Sequence, residues 1–360
     1  MTLHINGRFL TQRLSGVQRV AGALLAELSV CEDRPAGDIL VPRGIARLGF
    51  PSKAWPVVEV GPFRGQLWEQ TGLPKAAADA PLLNLCNLAP LAHPQNMLMI
   101  HDTSVFDQPE GYGWRFGIWY RTLLPILGRR ARRVMTISTF SADRLVALGI
   151  ARTEIVRVVP NGVDHLLRVD SLPSVLDRHG LPPSGYALVV GSSNPNKNVP
   201  AAIRAVAESG VPDLAVAIVG TTPARTVFGA AKHRETPGAI PAVIAVGAVD
   251  DGELRALYEN AACLIFPSLY EGFGLPPLEA MTLGCPVIAS NRTSLPEVCG
   301  DAAILVDPDD RAALADAVRR VVGDTDLRKE LIARGQEHAA TYTWARAASS
   351  LREVLAEVGV

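Results

Sequence analysis

Only five of the 360 residues are cysteine, and Cys31, Cys86, Cys263, Cys285 and Cys299 show no paired spacing. That pattern argues against a disulfide framework and for free thiols in a reducing compartment. No CxxC, HExxH or carboxylate–histidine cluster offers the ligand spacing of a metal site. Long apolar runs are missing too. The longest, such as AVIAVG at 242–247, are strand-sized, far short of the roughly 20 residues that cross a bilayer. The opening MTLHINGRFL lacks the charged-then-apolar shape of a secretory signal, so a cytoplasmic protein is expected. Repeats of solenoid period and low-complexity tracts are absent.

Charge of one sign is also lacking, since the formal net charge is −1. The balance hides an asymmetry: residues 1–165 hold 18 Lys/Arg against 13 Asp/Glu, and residues 166–360 hold 17 against 23. A basic half joined to an acidic half suits an anionic substrate or surface. The excess is too small for a nucleic-acid binder, and none is expected as a partner.

What remains is a well-packed globular composition, 48% hydrophobic and 20% charged, at a length for which two domains are the natural expectation. Apolar runs at 186–191, 214–220, 242–247, 262–268, 285–290 and 302–306 read as buried strands. Helical stretches at 198–209, 251–260, 276–284 and 309–322 alternate with them. That alternation predicts an α/β fold with a doubly wound parallel sheet. The first half repeats the pattern more weakly, with candidate strands at 3–6, 38–42, 57–61, 82–86, 97–102 and 133–138. EIVRVVPNGVD (154–164) ends in a turn-rich PNG at the composition shift, and 165–184 reads as a short connector.

The densest chemistry lies in EGFGLPPLEA, where Glu271 and Glu279 stand eight positions apart. Gly272 and Gly274 permit a turn that side chains would block. Pro276 and Pro277 suit the first turn of a helix. One carboxylate then stands on a loop at a strand's C-terminal edge and the other inside a helix, with backbone N–H groups between them. Such a site suits a ligand bearing both hydroxyls and phosphate.

This stretch, within PSLYEGFGLPPLEAMTLGCPVIAS and SLPEVCGDAAILVDPDD (267–310), resembles the E-x(7)-E motif of retaining glycosyltransferases, most closely glycosyltransferase family 4. The resemblance implies a GT-B fold: two Rossmann-like, doubly wound domains facing across a cleft. It also implies an N-terminal domain over 1–163 that reclaims a last helix at about 344–360, and a donor domain over 164–343. Glu279 would hold the nucleotide ribose. Glu271, Gly272, Phe273, Gly274 and Leu275 would face the donor sugar and phosphates. Lys197, in VVGSSNPNKNV, resembles the family's phosphate-loop lysine. Many members place arginine after the loop glycine; here that position is Ser192, so Ser192 and Ser193 join Lys197 as donor-binding candidates. His101, at the end of MLMIHD, matches a histidine that contacts the donor sugar or supports the acceptor pocket, and His101, Glu271 and Lys197 form the candidate catalytic set. Gly16, with Gln18 and Arg19 beside it, matches a first loop that closes over the pyrophosphate; Ser15 as a helix cap is the competing account.

Other features read either way. Asp102 can orient the His101 ring or cap the next helix. Ser141 in STFSADRL can face the cleft or cap. Asp309 or Asp310 of VDPDD caps a helix rather than binding metal. GWRFGIWYRTLLPILGRRARRV (113–134) interleaves six arginines with Trp114, Phe116, Trp119 and Tyr120. It is a candidate peripheral contact with the inner face of the cytoplasmic membrane, although Pro125 should interrupt the helix and the aromatics equally suit a core face.

The expected activity is metal-independent hexosyl transfer, with retention, from a UDP- or GDP-sugar to a glycan or polyprenyl-linked acceptor in surface polysaccharide synthesis. No cofactor or metal is expected. The alternatives are a nucleotide-sugar epimerase or hydrolase of GT-B type, or a non-catalytic sugar-nucleotide-binding protein of the same fold.

Overall fold

The computed structural model describes residues 2–12, 15–44, 55–191, 194–220 and 241–360. The chain divides into two compact units, Met1–Gly162 with Thr343–Val360, and Val163–Tyr342.

The first unit holds a seven-stranded sheet of β1 (His4–Asn6), β2 (Ile39–Pro42), β3 (Val57–Val60), β4 (Leu82–Asn84), β5 (Asn96–Met99), β6 (Arg133–Thr136) and β7 (Val156–Val158). Its order is β3-β2-β1-β4-β5-β6-β7, with every neighbour parallel. Short apolar strands such as MLM at 97–99 are buried on both faces, as helix-covered parallel sheets require. Leu98, Ile100 and Val134 pack with Leu124 and Leu127 of the helix Trp114–Arg130. That helix runs through Pro125 without a break. The lost hydrogen bond is tolerated because Leu123, Leu124 and Leu127 anchor both sides of the proline in the core.

The second unit holds β8 (Tyr186–Val190), β9 (Ala215–Val219), β10 (Val243–Gly247), β11 (Cys263–Phe266), β12 (Val287–Ser290) and β13 (Ile304–Val306). They form a six-stranded sheet in the order β10-β9-β8-β11-β12-β13, parallel throughout. Val189, Ile218, Ile265 and Ile288 bury against Val206 of Val199–Ser209 and Val318 of Arg311–Gly323. The segment 165–184 is more than a connector, because it contains the helix Ser174–His179, ended by Gly180 in the left-handed region at φ 62°.

Both sheets are Rossmann-like, and each reverses direction beside its first strand. The order turns between β1 and β4 in one unit and between β8 and β11 in the other. Loops leaving adjacent strands at such a point diverge to opposite faces and open a crevice at the carboxyl ends of the strands.

The closing helix Trp344–Ala356 belongs to the first unit, where it packs on the helix Gly16–Ser29. Trp344 is fully buried, and a Cβ on Gly162 would stand 2.1 Å from its backbone nitrogen. Only glycine allows that approach. Glu357 clamps the tail with Arg133 at 2.7 Å and Arg157 at 2.8 Å.

Candidate active site

In the second unit the chemistry collects at the crevice between β8 and β11. After β8 the chain passes Gly191 into a 3-10 turn, Pro195–Lys197, which Asn194 caps by accepting from the Asn196 N–H at 3.0 Å. Asn198 sits in the left-handed region at φ 46° and launches the helix Val199–Ser209. After β11 the chain passes through 267–274 to the helix Leu275–Thr282. The Leu269 N–H donates to Asn196 O at 2.7 Å, which joins the two loops.

Lys197 Nζ reaches Glu271 Oε1 at 2.7 Å, with the two side chains 24% and 13% exposed. Nζ also lies 5.1 Å from the centre of the Phe266 ring. A pair this sheltered is coupled more tightly than an exposed one, and removing one partner strands the other in a low-dielectric site. The loop that carries Glu271 is stitched to the residues after β12. The Glu271 N–H donates to Thr293 Oγ1 at 3.1 Å. Ser294 Oγ, fully buried, serves Glu271 O at 2.9 Å and Phe273 O at 2.7 Å.

Gly274 takes φ 125°, and a Cβ there would stand 2.8 Å from Leu295. The Gly-Phe-Gly turn therefore depends on glycine for its conformation and its space. Pro276 and Pro277 carry no N–H, so the amide donors of this helix entrance belong to Phe273, Gly274 and Leu275. Phe273 packs edge-on against Tyr342, their rings 5.8 Å apart.

Glu279 is 5% exposed although it carries a carboxylate. Its Oε2 accepts from the Tyr258 hydroxyl at 3.1 Å. His165 Nε2 lies 3.2 Å from Oε1, in ion-pair range but outside hydrogen-bond geometry. An ionised carboxylate offers about four lone-pair positions, so these two contacts leave capacity for a pair of adjacent hydroxyls.

In the first unit Gly16 begins the helix Gly16–Ser29, and nothing lies within 4 Å of where its Cβ would be. Ser15 occupies the capping position but makes no side-chain cap. Its hydroxyl donates to the Gln18 side chain instead, and Gln18 Nε2 donates to Gln12 Oε1 at 3.1 Å.

His101 is 4% exposed, and its Nε2–H donates to Leu85 O at 2.8 Å. A carbonyl only accepts, so this bond places the proton on Nε2. Burial lowers the His101 pKa and keeps the ring neutral. Asp102 stands one residue ahead of Thr103, the N-cap of the helix Ser104–Asp107, and accepts from the Ser104 N–H at 2.8 Å. Ser141 is not the cap of the helix Thr139–Ala147; Ser138 is, at 3.1 Å, and Ser141 Oγ turns inward to His101 O. Ser192 and Ser193 lie outside the described residues.

The VDPDD carboxylates are engaged elsewhere. Asp310 caps the helix Arg311–Gly323 by accepting from the Ala313 N–H at 2.9 Å. Asp307 and Asp309 both hold Arg292, at 2.7 and 2.6 Å. Among the described residues no group of three or more His, Cys, Asp or Glu is placed to hold a metal ion. Burial raises the thiols of Cys86, Cys263 and Cys299 to about 12.

Three contributors escaped sequence reading. His165 sat in a stretch read as connector. Tyr258 is a helix residue whose contact with Glu279 depends on how two helices pack. Ser294 belongs to the matched SLPEV stretch, yet nothing in its spacing marks it as the staple of the Glu271 loop.

A family model described as "Glycosyl transferases group 1" matches residues 178–338, and one described as "Glycosyltransferase Family 4" matches residues 77–165. The O-antigen chain mannosyltransferase B of Escherichia coli is 32% identical over 258 residues, covering 68% of this chain and 65% of that protein. A D-inositol 3-phosphate glycosyltransferase of Acidothermus cellulolyticus is 33% identical over 248 residues, covering 63% of this chain and 54% of that protein. The chain thus spans somewhat less than two thirds of the length of either relative. Among solved structures, the Anabaena HepE protein in complex with UDP-glucose superposes with a TM-score of 0.73 at 17% identity, covering 99% of both chains. That likeness is one of fold, the GT-B fold.

Proposed function

The chain belongs to the group 1, family 4 glycosyltransferases, and on that footing we propose that it moves a hexose from a nucleoside diphosphate sugar to a hydroxyl of a glycan or polyprenyl-linked acceptor in surface polysaccharide synthesis. The observation that carries this reading is the Lys197–Glu271 pair at the β8/β11 crevice, with Glu279 buried one helix turn beyond. Mannose is the first hexose to test, because the Escherichia coli relative is named a mannosyltransferase.

Each residue then has a role. Glu279, steadied by Tyr258 and His165, accepts hydrogen bonds from the ribose hydroxyls. Lys197, drawn toward Glu271 before the donor arrives, supplies positive charge to the departing diphosphate together with the Phe273, Gly274 and Leu275 amides. This is stabilisation of charge where it develops, with no metal required. Glu271 receives the donor sugar's hydroxyls rather than attacking its anomeric carbon. Attack from the leaving-group face, with the phosphate oxygen taking the acceptor proton, retains configuration without an enzyme nucleophile. Nδ1 is the ring nitrogen of His101 left to act on a ligand, since Nε2 is committed to Leu85 O. Gly16 leaves its own backbone open to close approach by a ligand.

The helix Trp114–Arg130 favours a peripheral membrane contact. Trp114, Phe116, Ile118 and Trp119 are exposed along it, and Arg129 and Arg130 close its last turn. Exposed aromatics beside arginines suit an anionic bilayer surface. No helix among the described residues is long and apolar enough to cross a membrane.

A thermal-shift screen of GDP-mannose, UDP-glucose and dTDP-sugars, followed by transfer assays with and without EDTA, tests the reading. Stabilisation by one nucleotide sugar and EDTA-resistant transfer with retained configuration are expected. Loss of transfer on chelation would overturn the metal-free mechanism. Binding without transfer to any acceptor would leave a sugar-nucleotide-binding protein.

A further inference from the structure

Three successive residues after β12 meet the Glu271 loop in order. The Glu271 N–H donates to Thr293 Oγ1 at 3.1 Å. The Ser294 hydroxyl has one proton for two carbonyls, Phe273 O at 2.7 Å and Glu271 O at 2.9 Å. Leu295, fully buried, fills the space at Gly274, where a Cβ would meet it at 2.8 Å.

The backbone that presents these groups is itself in an unfavourable state. Thr293 is a β-branched residue at φ 58°, in the left-handed region that side chains of this shape rarely enter. Glycine would relax that φ but has no oxygen to offer the Glu271 N–H. Thr293 Oγ1 is also aimed, because it donates to Arg292 O at 2.8 Å. The segment is anchored on its other side as well. The Asn291 N–H donates to Val306 O at 2.9 Å, and the Arg292 N–H to the buried Ser290 Oγ at 3.2 Å. Asp307 and Asp309 then hold the Arg292 guanidinium. A strained residue persists only where its surroundings over-determine it, and here they do.

The bonds of Ser294 have a directional consequence. The described chain contains no cis peptide, so each carbonyl points opposite to the N–H of the next residue across a common plane. Glu271 O and Phe273 O are drawn to one hydroxyl, and the Gly272 and Gly274 N–H groups are therefore turned away from Ser294. Nearby N–H groups turned the same way form a concavity suited to an anion.

We propose that Thr293 and Ser294 are positioning residues for hexosyl transfer. Thr293 sets the Glu271 carboxylate against the donor sugar, and Ser294 turns the Gly272 and Gly274 amides toward the diphosphate. Both act through the loop rather than on the substrate. The proposal rests on the glycosyltransferase reading above. If the segment served only to stabilise the fold, glycine would be the better residue at 293. A threonine at φ 58° is explained by the bond it gives the Glu271 N–H.

The test is calorimetric titration of the full chain with GDP-mannose and UDP-glucose, each beside its own diphosphate, GDP or UDP. Thr293→Val keeps the branched shape and removes the oxygen. It should weaken the nucleotide sugar by about five-fold, the scale of one lost hydrogen bond, and leave the diphosphate within about two-fold. Thr293→Ser returns the oxygen and should restore nucleotide-sugar affinity. Thr293→Gly releases the φ but lacks the oxygen, so it should melt no lower than Thr293→Val and still show the sugar-specific loss. It serves alone if Thr293→Val does not fold. Ser294→Ala should weaken nucleotide sugar and diphosphate together, because both carry the phosphates that the amides meet. Ser294→Cys, a weaker donor of similar size, stands in if the alanine variant does not fold. Equal losses from the two kinds of probe in the Thr293 variants, or no loss, overturn the role of Thr293. Unchanged diphosphate affinity in the Ser294 variant overturns that of Ser294. Failure of both nucleotide sugars to bind the wild-type chain would instead sink the underlying glycosyltransferase reading.

Discussion

His165 Nε2 stands 3.2 Å from Glu279 Oε1, while the Tyr258 hydroxyl donates to Oε2 at 3.1 Å. The carboxylate is therefore aimed from both oxygens before any ligand arrives. Glu279→Ala should weaken nucleotide-sugar binding at least ten-fold. Tyr258→Phe should weaken it by roughly five-fold, the scale of one lost hydrogen bond of about 1 kcal/mol. Calorimetric titration checks both, and full donor affinity in Glu279→Ala would remove the ribose assignment.

Lys197→Ala deletes the charge that meets the diphosphate and strands Glu271 at 13% exposure. The expected loss in kcat is about 10²–10³-fold, the range seen when a preorganised donor to developing charge is removed. Glu271→Gln should raise donor KM more than Lys197→Ala does, because it alters the sugar contact. Steady-state kinetics at saturating acceptor separate the two.

Gly274→Ala meets two obstacles, the φ of 125° and the Leu295 methyl 2.8 Å from the new Cβ. A loss of ~2 kcal/mol in stability is expected from strain of this kind. It should appear as a lower Tm accompanied by loss of donor-induced stabilisation. An unchanged Tm would show that the turn tolerates a side chain.

Burial lowers the pKa of both His101 and His93. Their folded values lie below the unfolded value of about 6.5, so the unfolded chain binds protons that the folded chain refuses. The stability they confer is full above about pH 6.5 and is lost as pH falls toward the folded values. Urea unfolding at pH 8 and pH 5.5 should show the lower midpoint at pH 5.5, and His101→Asn should flatten part of that slope.

The exposed face of the helix Trp114–Arg130 gives a separate test. Co-sedimentation with vesicles rich in phosphatidylglycerol should fall when Trp114 and Trp119 are replaced by alanine, and fall further with added salt. Equal binding to neutral vesicles would argue against the arginines as contributors.

What the sequence determined by itself is local. Apolar runs such as YALVV and CLIF specify strands because burial on both faces leaves no room for alternation. Prolines at 276 and 277 after Gly274 specify a turn and a helix start, and Asp250 with Glu253 closes a capping box on the helix Asp251–Asn260. Those signals act over a few residues, so the parallel sheets, the Gly-Phe-Gly turn and the Lys197 loop were all legible. Tertiary structure decided which distant side chains meet. Strand order brings the loop after β8 beside the loop after β11, so Lys197 reaches Glu271 across 74 positions. It likewise brings Arg8 to Glu69 across 61 positions. Hydrophobic period has no knowledge of such pairings, and that is why Glu69, His165, Tyr258 and Ser294 stayed hidden. Pro125 failed as a breaker for the same reason: packing on both sides of it outweighs one missing hydrogen bond.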